Sequence, residues 1–124
     1  MFQEQIISAA LNVIEIERQA LQHLTDKINQ DFVQVCECLL NCKGRIVVTG
    51  IGKSGHIATK FAATLASTGT PAFFMHPGDA SHGDLGMLTV DDVAVVISYS
   101  GESSEILFLL PAIKRLGVPL ISLT

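Results

Sequence analysis

The chain has 124 residues, which is enough for one domain of ordinary size and too few for two. Hydrophobic residues make up 48% of it and charged residues 16%, a balance that excludes an intrinsically disordered or low-complexity chain. Eight Lys and Arg residues against twelve Asp and Glu residues give a net charge of −4, with no basic run, so binding to a nucleic-acid backbone is not expected.

The N-terminus and the cysteines indicate a soluble protein of a reducing compartment. Residues 1–20 lack the basic start and the small-residue cleavage site of a signal peptide, and no apolar run reaches the roughly 18 residues of a membrane span. Cys36, Cys38 and Cys42 form an odd, closely spaced set, which fits reduced thiols better than a disulfide framework or a four-ligand metal site. We therefore expect a cytoplasmic protein without a membrane partner.

Two helices are predicted to precede the first strand. Apolar residues recur at three- and four-residue steps from residue 4 to about residue 24, as in an amphipathic helix. A second apolar stripe begins after Asn29 and Asp31, either of which offers an N-cap, and Lys43 with Gly44 ends it.

Beyond these helices, apolar strands alternate with helical segments. Strands are predicted at residues 45–49, 72–75, 93–98 and 118–123, and helices at about 54–67 and 103–116, with residues 76–86 as the longest irregular loop. Each strand is apolar throughout, so a parallel sheet with helices on both faces and right-handed crossovers is expected. The predicted fold class is α/β, a three-layer, doubly wound parallel sheet with N-terminal helices.

A glycine-rich loop follows the first strand and opens a helix. Its sequence, Gly50-Ile51-Gly52-Lys53-Ser54-Gly55, lets the backbone approach an anion at the N–H groups of a helix start. A dinucleotide site also requires an acidic residue after the second strand, where Phe74-Met75-His76 stands, and a P-loop requires a glycine at Val47. The loop therefore favours a phosphate ligand, with Lys53 as its counter-charge.

A second loop between a strand and a helix is rich in serine. Residues 98–104 contain four serines, whereas one suffices to cap the following helix. Their hydroxyls beside free N–H groups are expected to form a neutral cradle for phosphate, clasped from the other side by the glycine loop. Glu105 lies about one helical turn beyond the serine loop, where its carboxylate can face the same crevice as a general base. Its negative charge can also stabilise the N-terminus of the helix.

Residues 76–86 bring two imidazoles, His76 and His82, and two carboxylates into one span. Such a set can pass protons or bind a metal, and it can also form a loop that packs on itself through hydrogen bonds. His23 and His56 are expected to be ordinary surface residues.

Four ordered motifs, at residues 50–58, 66–71, 74–87 and 97–105, resemble the sugar isomerase (SIS) domain, and more narrowly that of bacterial D-arabinose 5-phosphate isomerases. The resemblance implies interconversion of D-ribulose 5-phosphate and D-arabinose 5-phosphate, which leads to the Kdo sugar of lipopolysaccharide, by a homotetramer that requires no cofactor. It implies that Lys53 and Glu105 are essential and that His76 can hold an inhibitory zinc ion. The substrate or phosphate contacts are expected from Gly52, Ser54, Gly69, Thr70, His76, His82, Ser98, Ser100 and Ser103.

The implied reaction moves a proton between C1 and C2 through a cis-enediolate, so it requires a base and a group that polarises the carbonyl. Glu105 is the candidate base, and either Lys53 or His82 is the candidate to stabilise the enediolate oxygen. Two other hypotheses remain. A non-catalytic phosphosugar-sensing SIS module would use the serine loop without a positioned base, and a dinucleotide-binding fragment would bind NAD.

The resemblance also implies that residues 1–124 form the N-terminal part of a SIS domain. Such domains continue past the last predicted strand, and these isomerases add a pair of CBS modules. The sheet is then expected to have flavodoxin-like strand order and to be C-terminally incomplete. Residues 120–123 are apolar in sequence, so burial on both faces is expected there.

Overall fold

A computed structural model describes residues 1–124, which divide into two compact units, Met1–Cys36 and Glu37–Thr124. The first unit consists of α1 (Phe2–Leu24), a 3-10 turn (Thr25–Lys27) and the start of α2 (Gln30–Leu40). Both predicted N-terminal helices are confirmed. Neither is long and apolar enough to cross a membrane, and the same holds for every other helix of the chain.

The first unit shows which residue caps α2 and which residues of α1 stay exposed. Asn29 Oδ1 accepts the backbone N–H groups of Asp31 and Phe32 at 3.0 and 3.3 Å, so Asn29 is the cap. No residue of α1 is buried. Its apolar stripe remains open to solvent along its length, as at Ile7, Leu11 and Ile14.

The second unit is a four-stranded parallel sheet of order β2-β1-β3-β4 with its crossover helices. This order confirms the predicted doubly wound, flavodoxin-like α/β fold. The elements are β1 (Ile46–Gly50), α3 (Gly52–Ser67), β2 (Ala72–Phe74), α4 (Pro77–Ser81), a 3-10 turn (Asp84–Met87), β3 (Val93–Ile97), α5 (Ser104–Arg115) and β4 (Leu120–Leu123).

Helices cover the two faces of this sheet, which makes three layers. On one face Val47 of β1 packs in a core cluster with Ala80 of α4 and Leu109 and Ile113 of α5. On the other face α3 lies so close to β1 that a Cβ on Gly55 would stand 2.8 Å from the carbonyl oxygen of Gly50. The crossovers after β1 and β3 therefore leave on opposite faces, and the loops that follow these adjacent strands border a crevice at the carboxyl edge.

The prediction of an irregular loop at residues 76–86 was wrong, because the segment contains α4 and a 3-10 turn. Pro77 provides the backbone angle for a first helical position, and His76 caps the helix with its side chain. Pro77 and Ala80 are buried. A helix of five residues is too short to show a hydrophobic period. The capping residue and the proline after it are the signals in the sequence that could predict it.

The expectation that residues 120–123 are buried on both faces was also wrong for this chain. Ile121 is buried and Leu120 half-buried, whereas Ser122 and Leu123 are exposed. The reason is that β4 is the outer strand of the sheet and pairs with β3 alone. The other element boundaries differ from the predictions by up to three residues, as at α2, which ends at Leu40 and not at Lys43. The helix α3 begins at Gly52 and so includes Lys53 and Ser54 in its first turn.

The amino edge of the sheet is tied together by the buried carboxylate of Asp92. Its Oδ1 accepts the backbone N–H of Arg45 at 2.7 Å, its Oδ2 accepts that of Thr89 at 2.8 Å, and the guanidinium of Arg45 lies 3.8 Å away. Burial by itself raises the pKa of Asp92, but these N–H groups and the Arg45 charge outweigh it and lower the pKa. No local pattern in the sequence indicates this network, which joins residues far apart in the chain.

Candidate functional site

The glycine loop forms a tight junction between β1 and α3. Gly50 allows no side chain, since a Cβ would lie 2.9 Å from the carbonyl oxygens of Ile97 and Ser54, and Gly52 has a φ of +60°. The N-cap residue of α3 is Ile51, whose side chain makes no capping hydrogen bond. The first-turn N–H groups of α3 are thus left for a ligand, as the sequence predicts for a phosphate loop.

The serine loop is held in shape by its own hydroxyls. Ser98 is buried, and its Oγ accepts the N–H of Gly101 at 3.0 Å and lies 3.3 Å from Ser103 Oγ. Ser100 Oγ accepts the N–H of Glu102 at 3.1 Å. The bonds from the N–H groups use oxygen lone pairs, so the hydroxyl hydrogen of Ser100 and one hydroxyl hydrogen of the Ser98–Ser103 pair remain available as donors to an anion.

The two loops meet in a cleft of about 460 Å³, which we call the cradle cleft. Lys53 and Ser54 line it from the glycine loop, and Ser98 and Tyr99 line it from the serine loop. The structure therefore brings the two predicted phosphate loops together. Tyr99, with 96% of its surface exposed, had no role assigned from the sequence.

Glu105 lines a second cleft, of about 450 Å³, between α4 and α5, which we call the carboxylate cleft. His82 shares this cleft, and the Ser104 hydroxyl donates to Glu105 Oε2 at 3.2 Å. The residues of the carboxylate cleft are Pro77, Gly78, Ser81, His82, Ser104, Glu105 and Phe108. Glu105 and His82 thus lie together, beside Ser104 rather than in the cleft that Lys53 shares with Ser98.

Two predicted substrate contacts, Gly69 and Thr70, lie far from both clefts. They follow α3, whose 16 residues span about 24 Å, and they precede β2 at the amino edge of the sheet. Gly69 adopts a φ of +101°, and the N–H of Thr70 donates to the carbonyl of Leu65 at 2.9 Å. Within one copy of the chain they do not join the other candidate residues.

His76 stands at the carboxyl end of β2 with one ring nitrogen occupied. Its Nδ1 accepts the N–H of Gly78 at 3.0 Å, which leaves Nε2 as the only ring nitrogen free for another partner. No group of three or more His, Cys, Asp or Glu side chains is placed to hold a metal ion. The residues of this chain do not fit a closed zinc site, since His76 offers a single ligand atom.

Sequence reasoning missed the wall that α4 contributes to the carboxylate cleft. The available signal was Pro77 directly after a residue able to cap a helix. The sequence also predicted a single crevice at the carboxyl edge of the sheet, whereas the structure has two clefts there. His23 and His56 are exposed, as expected, and the three cysteines are unpaired.

Relatives with known names match nearly the whole chain. The protein named Arabinose 5-phosphate isomerase KdsD is 60% identical in Escherichia coli K12 over 116 residues, which is 94% of this chain and 35% of that protein. The protein of the same name from Pseudomonas aeruginosa is 58% identical over 118 residues, covering 95% of this chain and 36% of that protein. The chain thus spans about a third of the length of these relatives.

Solved structures agree with this fold. An Escherichia coli CFT073 protein in complex with arabinose 5-phosphate superposes with a TM-score of 0.89 at 46% identity, over 95% of this chain and 63% of that one. Phosphoheptose isomerase GmhA from Neisseria gonorrhoeae superposes with a TM-score of 0.70 over 98% of this chain and 74% of that one, at 21% identity, a likeness of fold alone.

The sequence profile described as the SIS domain matches residues 39–124, which include every strand of the sheet and both phosphate-type loops. This stretch is well over half of the chain, and the fold that contains the parallel sheet superposes on the Escherichia coli CFT073 structure over 95% of the chain. The chain therefore belongs to the SIS domain family.

Proposed function

We propose that this chain provides the phosphate-binding loops and part of the catalytic set of an isomerase that interconverts D-ribulose 5-phosphate and D-arabinose 5-phosphate. The observation that carries the proposal is geometric. Lys53 and the hydroxyl-bearing Ser54 and Ser98 line one cleft, and the Glu105 carboxylate and the His82 imidazole line another, both at the carboxyl edge of one sheet. The names of the relatives and the sugar-phosphate ligand of the Escherichia coli structure support this substrate class.

Glu105 fits the role of the base. The reaction takes a proton from one of two adjacent carbons and returns it to the other through a cis-enediolate. The Ser104 hydroxyl binds Glu105 Oε2, which orients the carboxylate and leaves Oε1 to receive the proton. The carboxylate then carries the proton to the neighbouring carbon of the enediolate, so no net proton is consumed.

The placement of His82 and Lys53 supports a division of roles between them. His82 lines the same cleft as Glu105, so it fits the group that polarises the carbonyl: it gives a proton to O2 as the enediolate forms and takes one back from O1 as the aldehyde forms. Lys53 lines the cleft of the serine loop, so it fits the counter-charge of the phosphate. Binding of the phosphate group at a distance from the reacting carbons orients the substrate for the reaction.

An assay of the full-length protein with D-ribulose 5-phosphate tests the proposal, and Lys53→Met tests the division of roles. We expect the substitution to raise KM by about 10- to 100-fold, with a smaller effect on kcat, because a charge-assisted contact to phosphate is lost in both the ground state and the transition state. Lys60→Met, an exposed lysine on the same helix, is the matched control.

A wild-type protein without isomerase activity on five-carbon sugar phosphates refutes the proposed function. A fall in kcat at unchanged KM in Lys53→Met places Lys53 in the chemistry and refutes the division of roles.

The same proposal includes a homotetramer, a cytoplasmic location and a part in supplying the Kdo sugar of lipopolysaccharide. Two observations support assembly. α1 exposes an apolar stripe that includes Leu11, 61% exposed, and Gly69 and Thr70, which the resemblance assigns to substrate contacts, lie away from both clefts within one copy. The proposed reaction requires no cofactor, since its steps are proton transfer and hydrogen bonding by side chains.

Leu11→Glu is expected to lower the assembly from four chains to two or one, because it places a charge on an apolar interface. Light scattering on the full-length protein measures the mass, with Asn12→Glu on the same helix as the control. A monomeric wild type, or a Leu11→Glu protein of unchanged mass, contradicts this prediction.

A further inference from the structure

The position of His82 in the carboxylate cleft depends on α4, the helix that directly precedes it. Pro77–Ser81 forms only five residues of helix, too few to be stable through its own hydrogen bonds. Pro77 and Ala80 anchor it by burial. The backbone N–H of His82 donates to the carbonyl of Asp79 at 3.0 Å, so any change in the helix is transmitted to His82.

His76 closes the first turn of this helix from two sides. Its Nδ1 accepts the N–H of Gly78 at 3.0 Å, and its backbone carbonyl accepts the N–H of Ala80 at 3.0 Å. Gly78 permits this arrangement, because a Cβ at that position would lie 3.0 Å from the same Nδ1. The imidazole also meets the ring of Phe74 edge to face, at 6.4 Å between centroids and 82° between planes, so its orientation is held on a second side.

The hydrogen bond from Gly78 defines the tautomer of His76. A ring nitrogen that accepts a hydrogen bond carries no hydrogen, so the neutral imidazole has its proton on Nε2. His76 thus uses one nitrogen in the cap of α4 and leaves the other as a donor, on a side chain that is exposed.

We propose that His76 is a positioning residue, whose Nδ1 caps α4 and thereby holds His82 in the cleft that Glu105 lines. This role is separate from any contact of His76 with substrate. Its effect on turnover rests on the proposed isomerase function, whereas the cap itself does not.

Two substitutions separate the cap from the exposed nitrogen. In His76→Asn the amide oxygen can take the place of Nδ1, and Asn is a favoured N-cap residue. In His76→Gln the amide extends toward the former place of Nε2 and leaves no acceptor at Nδ1. The full-length variants are compared by hydrogen–deuterium exchange of residues 77–83 and by kcat and KM for D-ribulose 5-phosphate.

We expect exchange across residues 77–83 to be about fivefold faster in His76→Gln than in wild type, as for the loss of one helix cap, and to remain near wild type in His76→Asn. We also expect kcat to fall in His76→Gln at nearly unchanged KM and to be largely restored in His76→Asn. Rescue by Asn is the result that a substrate contact through Nε2 would not produce.

Equal exchange rates of residues 77–83 in His76→Gln and His76→Asn contradict the proposal that Nδ1 of His76 caps α4. Wild-type exchange in His76→Asn together with a kcat as low as that of His76→Gln overturns the positioning role. If wild type shows no turnover, the proposed function fails, and the exchange comparison still decides the cap.

Discussion

Glu105→Gln is expected to lower kcat for the isomerisation by about 10²- to 10⁴-fold, the usual contribution of a general base, with little change in KM. The amide keeps the shape of the side chain and can still accept a hydrogen bond from the Ser104 hydroxyl, whose Oγ lies 3.2 Å from Oε2 in wild type. It cannot take a proton from carbon. Steady-state kinetics of the full-length protein with D-ribulose 5-phosphate measure both constants.

Glu102→Gln is the matched control, since Glu102 is an exposed glutamate in the serine loop just before α5, with no proposed role for its side chain. Its kcat should stay within about twofold of wild type, as for an ordinary surface substitution. Normal turnover in Glu105→Gln refutes Glu105 as the base. A wild type that binds the sugar phosphate without converting it supports the phosphosugar-sensing hypothesis instead.

Asp92→Ala is expected to lower the free energy of unfolding by about 3 kcal/mol, the largest effect on stability that we predict. The substitution leaves the part-buried N–H groups of Arg45 and Thr89 without their buried acceptor and removes the partner of the Arg45 guanidinium. Because these groups join the start of β1 to the segment before β3, the amino edge of the sheet loosens. Urea unfolding of the full-length protein measures the change.

Asp91→Ala is the control, because the exposed Asp91 contributes to this region through its backbone carbonyl, which accepts the N–H of Gly44 at 2.7 Å. It should change stability by less than about 0.5 kcal/mol. A similar loss in both variants contradicts the proposed importance of the Asp92 carboxylate.

The pH dependence of stability gives a second measure of Asp92. Its pKa in the folded protein is lowered, so its stabilising contribution is present above the unfolded pKa of about 4 and is lost as the pH falls through the folded value. The difference in stability between wild type and Asp92→Ala should therefore be constant near neutral pH and shrink below about pH 4. A difference that persists unchanged in acid contradicts the assignment.

The two substitutions address opposite ends of one sheet. Glu105 lies at the carboxyl edge, where the strands deliver loops and helix starts, and Asp92 lies at the amino edge, where the crossovers return. We expect Asp92→Ala to change stability much more than KM, and Glu105→Gln to change kcat much more than stability.

Local signals were sufficient to predict most of the fold. Continuous apolar runs with flanking glycines, as at Ile46–Gly50, identify buried strands, and the helical period identifies α1, α2, α3 and α5. The helix α4 was not predicted, because its stability comes from one proline, one imidazole cap and two buried side chains, none of which produces a hydrophobic period in the sequence.

The candidate site was likewise predictable only where local signals encode it. Glycine spacing and serine density indicated the two phosphate loops, because their chemistry depends on the backbone and hydroxyl groups of neighbouring residues. The pairing of His82 with Glu105, and the separation of both from Lys53, depend on how α4 and α5 pack, which residues distant in sequence decide.

The class of elements, the parallel sheet and the loops at its carboxyl edge are predictable from the chain alone, since each is encoded within a few neighbouring residues. The two clefts at that edge, the cap that His76 provides before His82, the Asp92 network at the amino edge and the position of Gly69 and Thr70 there follow from the folded structure. These features arise from contacts and strand order across the fold, and no local pattern of residue types records which distant groups become neighbours.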